Sequence, residues 1–255
     1  MKSSNEIDTI IQNVDCLVFL ATLKDNSVDL VLTDPPYQIS RKTGFKSVKK
    51  GVERLKISMD FGKWDNQSEK IHHKMMKDVC KEVYRVLRDG GTVIMFYDLW
   101  KITELSNMLK DAGFKMLRFV EHLKTNPVPI NSKCFYLSNA REIAIACVKG
   151  GKPTFNAEYH NGIFTLPIHR DEGKRIHPTQ KSIALMKAFI KIHSKENDFV
   201  IDPFAGSGTT MVSAMLLNRV TAGCEIDKKY YKVAVQRIKK FLLNTKPSKN
   251  SNFWE

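Results

Sequence analysis

The chain has 255 residues, with 41 Lys and Arg against 27 Asp and Glu, a net charge of +14 and a pI near 9.5. That length suits one large α/β domain with a buried core, and the charge suits a polyanionic partner such as nucleic acid. No run reaches about 18 apolar residues and no signal-peptide core follows Met1-Lys2-Ser3-Ser4-Asn5-Glu6, so a membrane partner is excluded and a soluble, cytoplasmic protein is expected.

Residues 13–24 begin Asn13-Val14-Asp15 and continue with Cys16, Leu17, Leu20 and Leu23, which is helical spacing after a polar start. Asp15 then stands at a strand-to-helix junction. The next run, Val28-Asp29-Leu30-Val31-Leu32, reads as a buried strand that ends at Thr33-Asp34-Pro35-Pro36-Tyr37, because proline cannot donate to a ladder. Two consecutive prolines fix the backbone. The Asp34 carboxylate, the Pro35 carbonyl and the Tyr37 ring are therefore held in one rigid arrangement. Two acceptors and one aromatic face suit a planar amine: the acceptors take its two N–H groups and the ring stacks on the attached base.

Residues 38–64 hold a densely basic stretch, 41–56, with Arg41, Lys42, Lys46, Lys49, Lys50 and Arg54, two glycines and no sustained period, and read as a mobile loop placed to grip phosphates. From Glu69 to Arg88 the set Ile71, Met75, Val79, Val83 and Val86 predicts an amphipathic helix with a left-handed stop at Gly90-Gly91. Thr92–Tyr97 predicts a buried strand, and Ile102, Leu105, Leu109 and Ala112 before Gly113 a second helix. Further strands are expected at Met116–Glu121 and Glu142–Val148. Between them Lys124-Thr125-Asn126-Pro127-Val128-Pro129 and Cys134-Phe135-Tyr136 are too proline-broken for an element and rich in hydrogen-bonding and stacking groups. Residues 150–176 differ in composition from both flanks, end in Arg170, Lys174 and Arg175, and read as an appended, variable insertion.

His177-Pro178-Thr179-Gln180-Lys181 opens a predicted helix through Ile183, Met186, Phe189 and Ile190. Then Asp198–Asp202 reads as a strand, Pro203-Phe204-Ala205-Gly206-Ser207-Gly208 as a glycine-rich turn, and Thr209-Thr210 as the start of a helix. Such a corner aims backbone N–H groups at a ligand. The following strand ends in Glu225, about 20 residues on, where a carboxylate can bind ribose hydroxyls. A last helix runs from Lys228 to about Leu243, before a polar tail. The alternation of strands and helices predicts a doubly wound α/β fold, with a mixed but mainly parallel sheet and helices on both faces. Five scattered cysteines without C-x-x-C spacing indicate neither disulfides nor a zinc site, and no metal is expected.

The corner admits two cofactors. A nicotinamide dehydrogenase would want a third glycine, which is missing. S-Adenosyl-L-methionine carries a zwitterion, whose ammonium Asp202 can hold and whose carboxylate Lys181 can hold.

With these blocks read, the chain resembles the amino-methylating DNA methyltransferases, specifically their circularly permuted β class acting on adenine N6. In that class the D-P-P-Y block comes first and the F-x-G-x-G block last, as here. The resemblance runs from about Asn13 to Phe241 and implies a permuted Rossmann-like fold forming a single methyltransferase domain over residues 1–255. It implies Asp34, Pro35, Pro36 and Tyr37 as the catalytic block. It implies Asp15, Cys16, Asp34, Lys181, Asp202, Phe204, Gly206, Ser207, Gly208, Thr209, Thr210 and Glu225 as the S-adenosyl-L-methionine site, with Asp15 and a backbone N–H near Cys16 on the adenine. Lys124–Pro129 looks like the K-[ST]-N-P-x-P stretch of solitary and single-strand-tolerant adenine methyltransferases. DNA contacts fall to Arg41, Lys42, Lys46, Lys49, Lys50 and Arg54, to Lys124 and Asn126, and to Arg170, Lys174 and Arg175 in a short recognition insertion. Double-stranded DNA is the implied partner. Single-stranded DNA, a homodimer and a cognate restriction endonuclease stay open.

Rival chemistries leave different marks. Cytosine-C5 methylation needs a nucleophilic cysteine after proline, and none of the five follows one. N4-cytosine enzymes usually carry serine where Asp34 stands. Protein-glutamine and RNA-amine methyltransferases generally begin the block with asparagine and place it after the cofactor loop. A non-catalytic DNA-binding relic of the fold would not need both blocks intact.

Overall fold

The computed structural model describes residues 9–36, 45–49, 52–57, 69–127, 139–168 and 181–244. Its strands are β1 (Ile11–Gln12), β2 (Val28–Thr33), β3 (Phe45–Lys49), β4 (Val52–Ile57), β5 (Leu87–Tyr97), β6 (Lys115–Lys124), β7 (Arg141–Val148), β8 (Ile163–Leu166), β9 (Phe199–Asp202) and β10 (Val220–Cys224). The helices are α1 (Cys16–Thr22), α2 (Glu69–Val86), α3 (Ile102–Ala112), α4 (Ile183–His193), α5 (Thr209–Met215) and α6 (Lys228–Asn244).

Eight strands form one sheet in the order β1-β10-β9-β2-β5-β7-β6-β8. Among them β7 alone runs against its neighbours. The central strands are apolar on both faces because helices cover both. Val31, Val93, Met95, Ile145 and Ile201 face a core built with α1, α2 and α3. Their neighbours Leu30, Leu32, Ile94, Phe96, Ala144 and Val200 face the core under α4 and α5. This is the continuous hydrophobic pattern of parallel strands buried on two sides. The second core is locked by aromatic contacts, with Phe96 edge-on to Phe189 at 5.9 Å and Phe164 against Phe189 at 4.6 Å between centroids.

The chain leaves β9 toward β10 on one side and β2 toward β5 on the other, although β9 and β2 are neighbours. The crevice at their carboxyl ends is thus a topological switch point, the place where open α/β sheets bind ligands.

Several sequence expectations need correction. Residues 45–57 contain the antiparallel hairpin β3–β4, with Phe45 opposite Ile57 and Lys49 opposite Val52, so the basic segment is not all loop. Neither strand alternates apolar and polar residues strictly, so no strand period marks it in the sequence. Helix α2 stops at Val86 and β5 starts at Leu87; Gly90, at φ +74°, lies inside that strand and not at a helix end. There β5 is irregular, pairing Leu87 with Val28 and Thr92 with Leu30. Ile71 is exposed, and the buried stripe of α2 runs through His72, Met76, Val79, Cys80, Val83 and Val86. Lys181 precedes α4, whose N-cap is Ser182. Residues 150–168 are not merely appended: β8 pairs with β6, and Asn156 bonds Ile192, Lys191 and Ser194 at the end of α4. Among the described residues, no helix is long and apolar enough to cross a membrane and no side-chain cluster suits a metal ion.

Candidate active site

Two sequence blocks meet at the switch point. Thr33, the last residue of β2, donates through Oγ1 to Asp202 Oδ1 at 2.7 Å, although the two are 169 positions apart. Thr210 Oγ1 donates to Asp202 Oδ2 at 2.7 Å, and the Phe204 N–H to Oδ1 at 3.0 Å. The buried Asp202 carboxylate thus stitches the end of β2 to the glycine turn and to α5. Burial pushes its pKa up to about 6, opposed by the Thr210, Thr33 and Phe204 donors and aided by the Asp34 carboxylate nearby.

The turn between β9 and α5 needs its glycines. Gly206 has φ +53° and Gly208, the N-cap of α5, φ +78°, a region that side chains rarely adopt. A Cβ on Gly206 would meet nothing within 4 Å, so the backbone there is open to an approaching ligand. Beneath it, Arg237 of α6 donates to the Ser207 carbonyl at 2.7 Å and to the Ser207 and Thr209 hydroxyls at 3.0 Å each. Glu225 closes the far side, accepting from the Gly206 N–H at 2.8 Å and the Asp227 N–H at 2.7 Å. Burial, against those two donors and with Asp227 and Asp202 as carboxylate neighbours, pushes Glu225 up to about 7.

The end of β1 lies beside this turn, since Gln12 pairs with Cys224 and Asn13 Nδ2 donates to the Glu225 carbonyl at 2.7 Å. Asp15 caps α1, its Oδ1 accepting from the Leu17 N–H at 2.8 Å. The buried Cys16 thiol is pushed up to about 12 by burial and then by Asp15.

On the other side of the crevice, Asp34 follows β2 with its carboxylate partly covered. Lys181 Nζ stands 2.7 Å from Asp34 Oδ2 and 3.7 Å from Glu142 Oε2, and lies 4.6 Å above the centroid of the Phe96 ring. Glu142 also meets Lys124 Nζ at 2.8 Å and His122 Nδ1 at 3.1 Å. Burial alone would raise Glu142, but Lys181, the His122 hydrogen bond and Lys124 outweigh it and hold the carboxyl well below its usual range. His72 of α2, buried and stacked near Tyr97, bonds through Nε2 to the Pro36 carbonyl at 2.5 Å. That contact fixes the second proline of the block.

The structure therefore brings together Asp34, Pro35, Pro36, Lys181, Asp202, Phe204, Gly206, Ser207, Gly208, Thr209, Thr210 and Glu225, with Asp15 and Cys16 at the flank. Asn126 is engaged with the backbone of Ile168, whose N–H donates to its Oδ1 at 2.5 Å. Lys46, Lys49 and Arg54 fall on the β3–β4 hairpin, described by its backbone pairing. Tyr37, Arg41, Lys42, Lys50, Val128, Pro129, Arg170, Lys174, Arg175, His177 to Gln180 and the polar tail lie outside the described residues. Sequence reasoning missed His72, Glu142 and Arg237. Only His72 left a signal, since it shares the helical stripe of Met76, Val79 and Val83.

A doubly wound sheet with a glycine turn, an acid at the next strand end and an acidic Pro-Pro corner across the switch point together define an α/β enzyme of the methyltransferase type. The sequence profile of the DNA methylase family, which covers N6 and N4 amino methylation, matches residues 28–236, and the chain belongs to that family. It is 32% identical over 253 residues to the Type II methyltransferase M2.DpnII of Streptococcus pneumoniae, covering 92% of this chain and 91% of that protein. It is 30% identical to the Type II methyltransferase M.HinfI of Haemophilus influenzae, covering 93% of this chain and 70% of that protein. Among solved structures, the M1.HpyAVI–SAM complex superposes with a TM-score of 0.68 at 26% identity, over 90% of this chain and 98% of that one. The PvuII cytosine-N4-specific DNA methyltransferase shares the fold, with a TM-score of 0.69 at 16% identity over 91% and 90% of the two chains. The chain is a site-specific DNA methyltransferase whose cofactor is S-adenosyl-L-methionine.

Proposed function

We propose that this enzyme methylates the N6 amine of adenine and belongs to the circularly permuted β class. The observation that carries the reading is the juxtaposition of Asp34-Pro35-Pro36 with the glycine turn, joined by the Thr33–Asp202 bond across 169 positions. Chain order supports the permutation: the glycine turn follows β9, late in the chain, yet β9 is the immediate neighbour of β2. An aspartate at position 34, where N4-cytosine enzymes usually have serine, supports adenine.

S-Adenosyl-L-methionine supplies the methyl group. Residues Asp202, Phe204 and Gly206 to Thr210 cradle it from the turn, Glu225 takes ribose hydroxyls, Asp15 and the backbone at Cys16 take the adenine, and Lys181 takes its carboxylate. The hydrogen bonds already made by Asp202 and Glu225 hold their carboxylates in place for this task. The target adenine is flipped from the duplex, since its amine is unreachable in the stack. Asp34 and the Pro35 carbonyl accept hydrogen bonds from its two N–H groups, Tyr37 stacks on the ring, and the amine nitrogen attacks the sulfonium methyl in line, without a covalent enzyme intermediate. The N–C bond forms as the S–C bond breaks, the thioether leaves and one proton of the methylated nitrogen goes to solvent. Holding two reactants in attack geometry removes an entropic cost that can reach about 7 to 11 kcal/mol.

DNA is gripped by the basic segment of residues 38–64 and by Lys124, Asn126, Arg170, Lys174 and Arg175. Residues 150–176, the basic segment after Tyr37 and the Asn126 loop share the reading of bases. The Type II naming of the bacterial relatives supports a cytoplasmic restriction-modification setting with a cognate endonuclease. The test is to methylate a plasmid with purified protein, digest it to nucleosides and map the modified positions. N6-methyladenine at one motif, lost in Asp34→Ala, is expected. N4-methylcytosine would overturn the adenine assignment, and cofactor binding without transfer would overturn catalysis.

A further inference from the structure

We propose that Glu142 is a positioning residue for methyl transfer, acting on Asp34 through Lys181. The inference rests on the amine-methylation reading and adds to it a residue outside both sequence blocks. Lys181 is 4% exposed at its side chain and carries an ammonium that must be balanced where it lies. Two carboxylates share it, Asp34 at 2.7 Å and Glu142 at 3.7 Å, while the Phe96 ring supports it from below.

Glu142 cannot swing freely toward either partner. Its Oε1 is held by Lys124 at 2.8 Å and its Oε2 by His122 at 3.1 Å. His122 is itself fixed, because Nε2 meets the Leu166 carbonyl of β8 at 3.0 Å. The groups that face the Asp34 carboxylate include Lys181, with Glu142, His122 and Lys124 behind it, Asp202 from β9, and His72 on the adjoining Pro36 carbonyl. Within this set Glu142 is an immobile second anion that divides the charge of Lys181. If Asp34 were the sole counter-ion, its oxygens would be spent on the ammonium and would accept the amine hydrogens less strongly. With Glu142 fixed, Lys181 stays at one point and the carboxylate of Asp34 keeps acceptor capacity toward the substrate.

The experiment is a double-mutant cycle read by single-turnover transfer at saturating cofactor and DNA. Glu142→Gln is expected to lower the transfer rate about tenfold while the Kd values for cofactor and DNA change less than about threefold. Glu142→Asp, which keeps the charge, is expected to recover most of that loss. Lys181→Met lowers the rate and weakens cofactor binding. In Lys181→Met the further change Glu142→Gln should cost no additional rate, because the path from Glu142 to Asp34 is then gone. The double variant contains no unpaired buried ammonium, so it carries the comparison even if Glu142→Gln alone fails to fold. Transfer within about twofold of wild type in Glu142→Gln, or losses that add in the double variant, would overturn the inference. Failure of the wild-type protein to methylate DNA would remove the functional reading and the inference together.

Discussion

His72 Nε2 lies 2.5 Å from the carbonyl oxygen of Pro36, so a helix that begins at Glu69 reaches back to pin the corner that carries Asp34. The ring is 4% exposed, and no water can readily replace it as donor. The corner is rigid for two reasons: its prolines fix φ locally, and α2 holds it from outside.

His72→Ala should therefore do two separable things. It opens a cavity beside Tyr97 and strips the Pro36 carbonyl of its donor, which together should cost about 1 to 3 kcal/mol in urea unfolding. Transfer should slow about tenfold at saturation, because a small displacement of an attack geometry is expensive. Cofactor affinity should change little, since the glycine turn is held by Asp202, Glu225 and Arg237. A stability loss with unchanged transfer would make the contact purely structural.

Arg237 offers a test of the opposite half of the site. Its guanidinium meets the Ser207 carbonyl and the Ser207 and Thr209 hydroxyls through Nη1. Lysine retains the charge, but its shorter side chain does not bring the ammonium to the place of Nη1. Arg237→Lys should raise the Kd for S-adenosyl-L-methionine about tenfold with a smaller effect on transfer at saturating cofactor, as measured by calorimetry and single turnover.

The parts of the site that were legible in the sequence are those written as contiguous residues. Asp34-Pro35-Pro36, the Gly206-Ser207-Gly208 turn and Glu225 each sit where a strand ends, and strand ends follow from apolar runs and breakers. Glu142 and Arg237 act across long separations and nothing local marks them, while His72 is marked only by its place on a helical stripe. For α2 the apolar residues allow two neighbouring stripes, through Met75 or through Met76, and the structure chooses the one that buries His72. Glu142 sits near the start of a strand whose alternation says nothing about Lys181. The strand β8 has four residues in a Gly- and Pro-punctuated stretch, too short for a pattern, and only pairing with β6 reveals it.

Burial of Glu225 carries a consequence for stability against pH. Its pKa rises from 4.5 to about 7 in the folded state, and Asp202 moves in the same direction, from 3.8 to about 6. The folded protein then binds protons more tightly than the unfolded chain between about pH 4 and pH 7. The stabilisation is complete below the unfolded values and is lost as pH rises through the folded ones. Glu142 is shifted the opposite way, so its contribution changes only below its unfolded value of 4.5. Stability in urea should fall on the order of 2 kcal/mol across this interval on account of Glu225. Glu225→Gln should flatten the fall, while lowering stability at every pH because one amide oxygen cannot serve both the Gly206 and Asp227 donors. A slope unchanged in Glu225→Gln would remove Glu225 as its source.

The hairpin β3–β4 provides the last prediction. Its backbone register sets Lys46 opposite Lys56 and Lys49 opposite Val52, and the charge of the segment suits a polyanion. Replacing Lys46, Lys49 and Lys50 together by alanine should therefore weaken DNA binding. Every lysine–phosphate pair that disappears takes about 0.9 from the slope of log affinity against log salt, so three such pairs take about 2.7. Cofactor affinity should stay put, because the glycine turn and Glu225 are built from other elements. Binding measured by fluorescence anisotropy over a salt series separates the alternatives. An unchanged slope would mean that these lysines form only a solvated charged surface, whereas a reduced slope with intact cofactor binding would assign the hairpin to the DNA backbone.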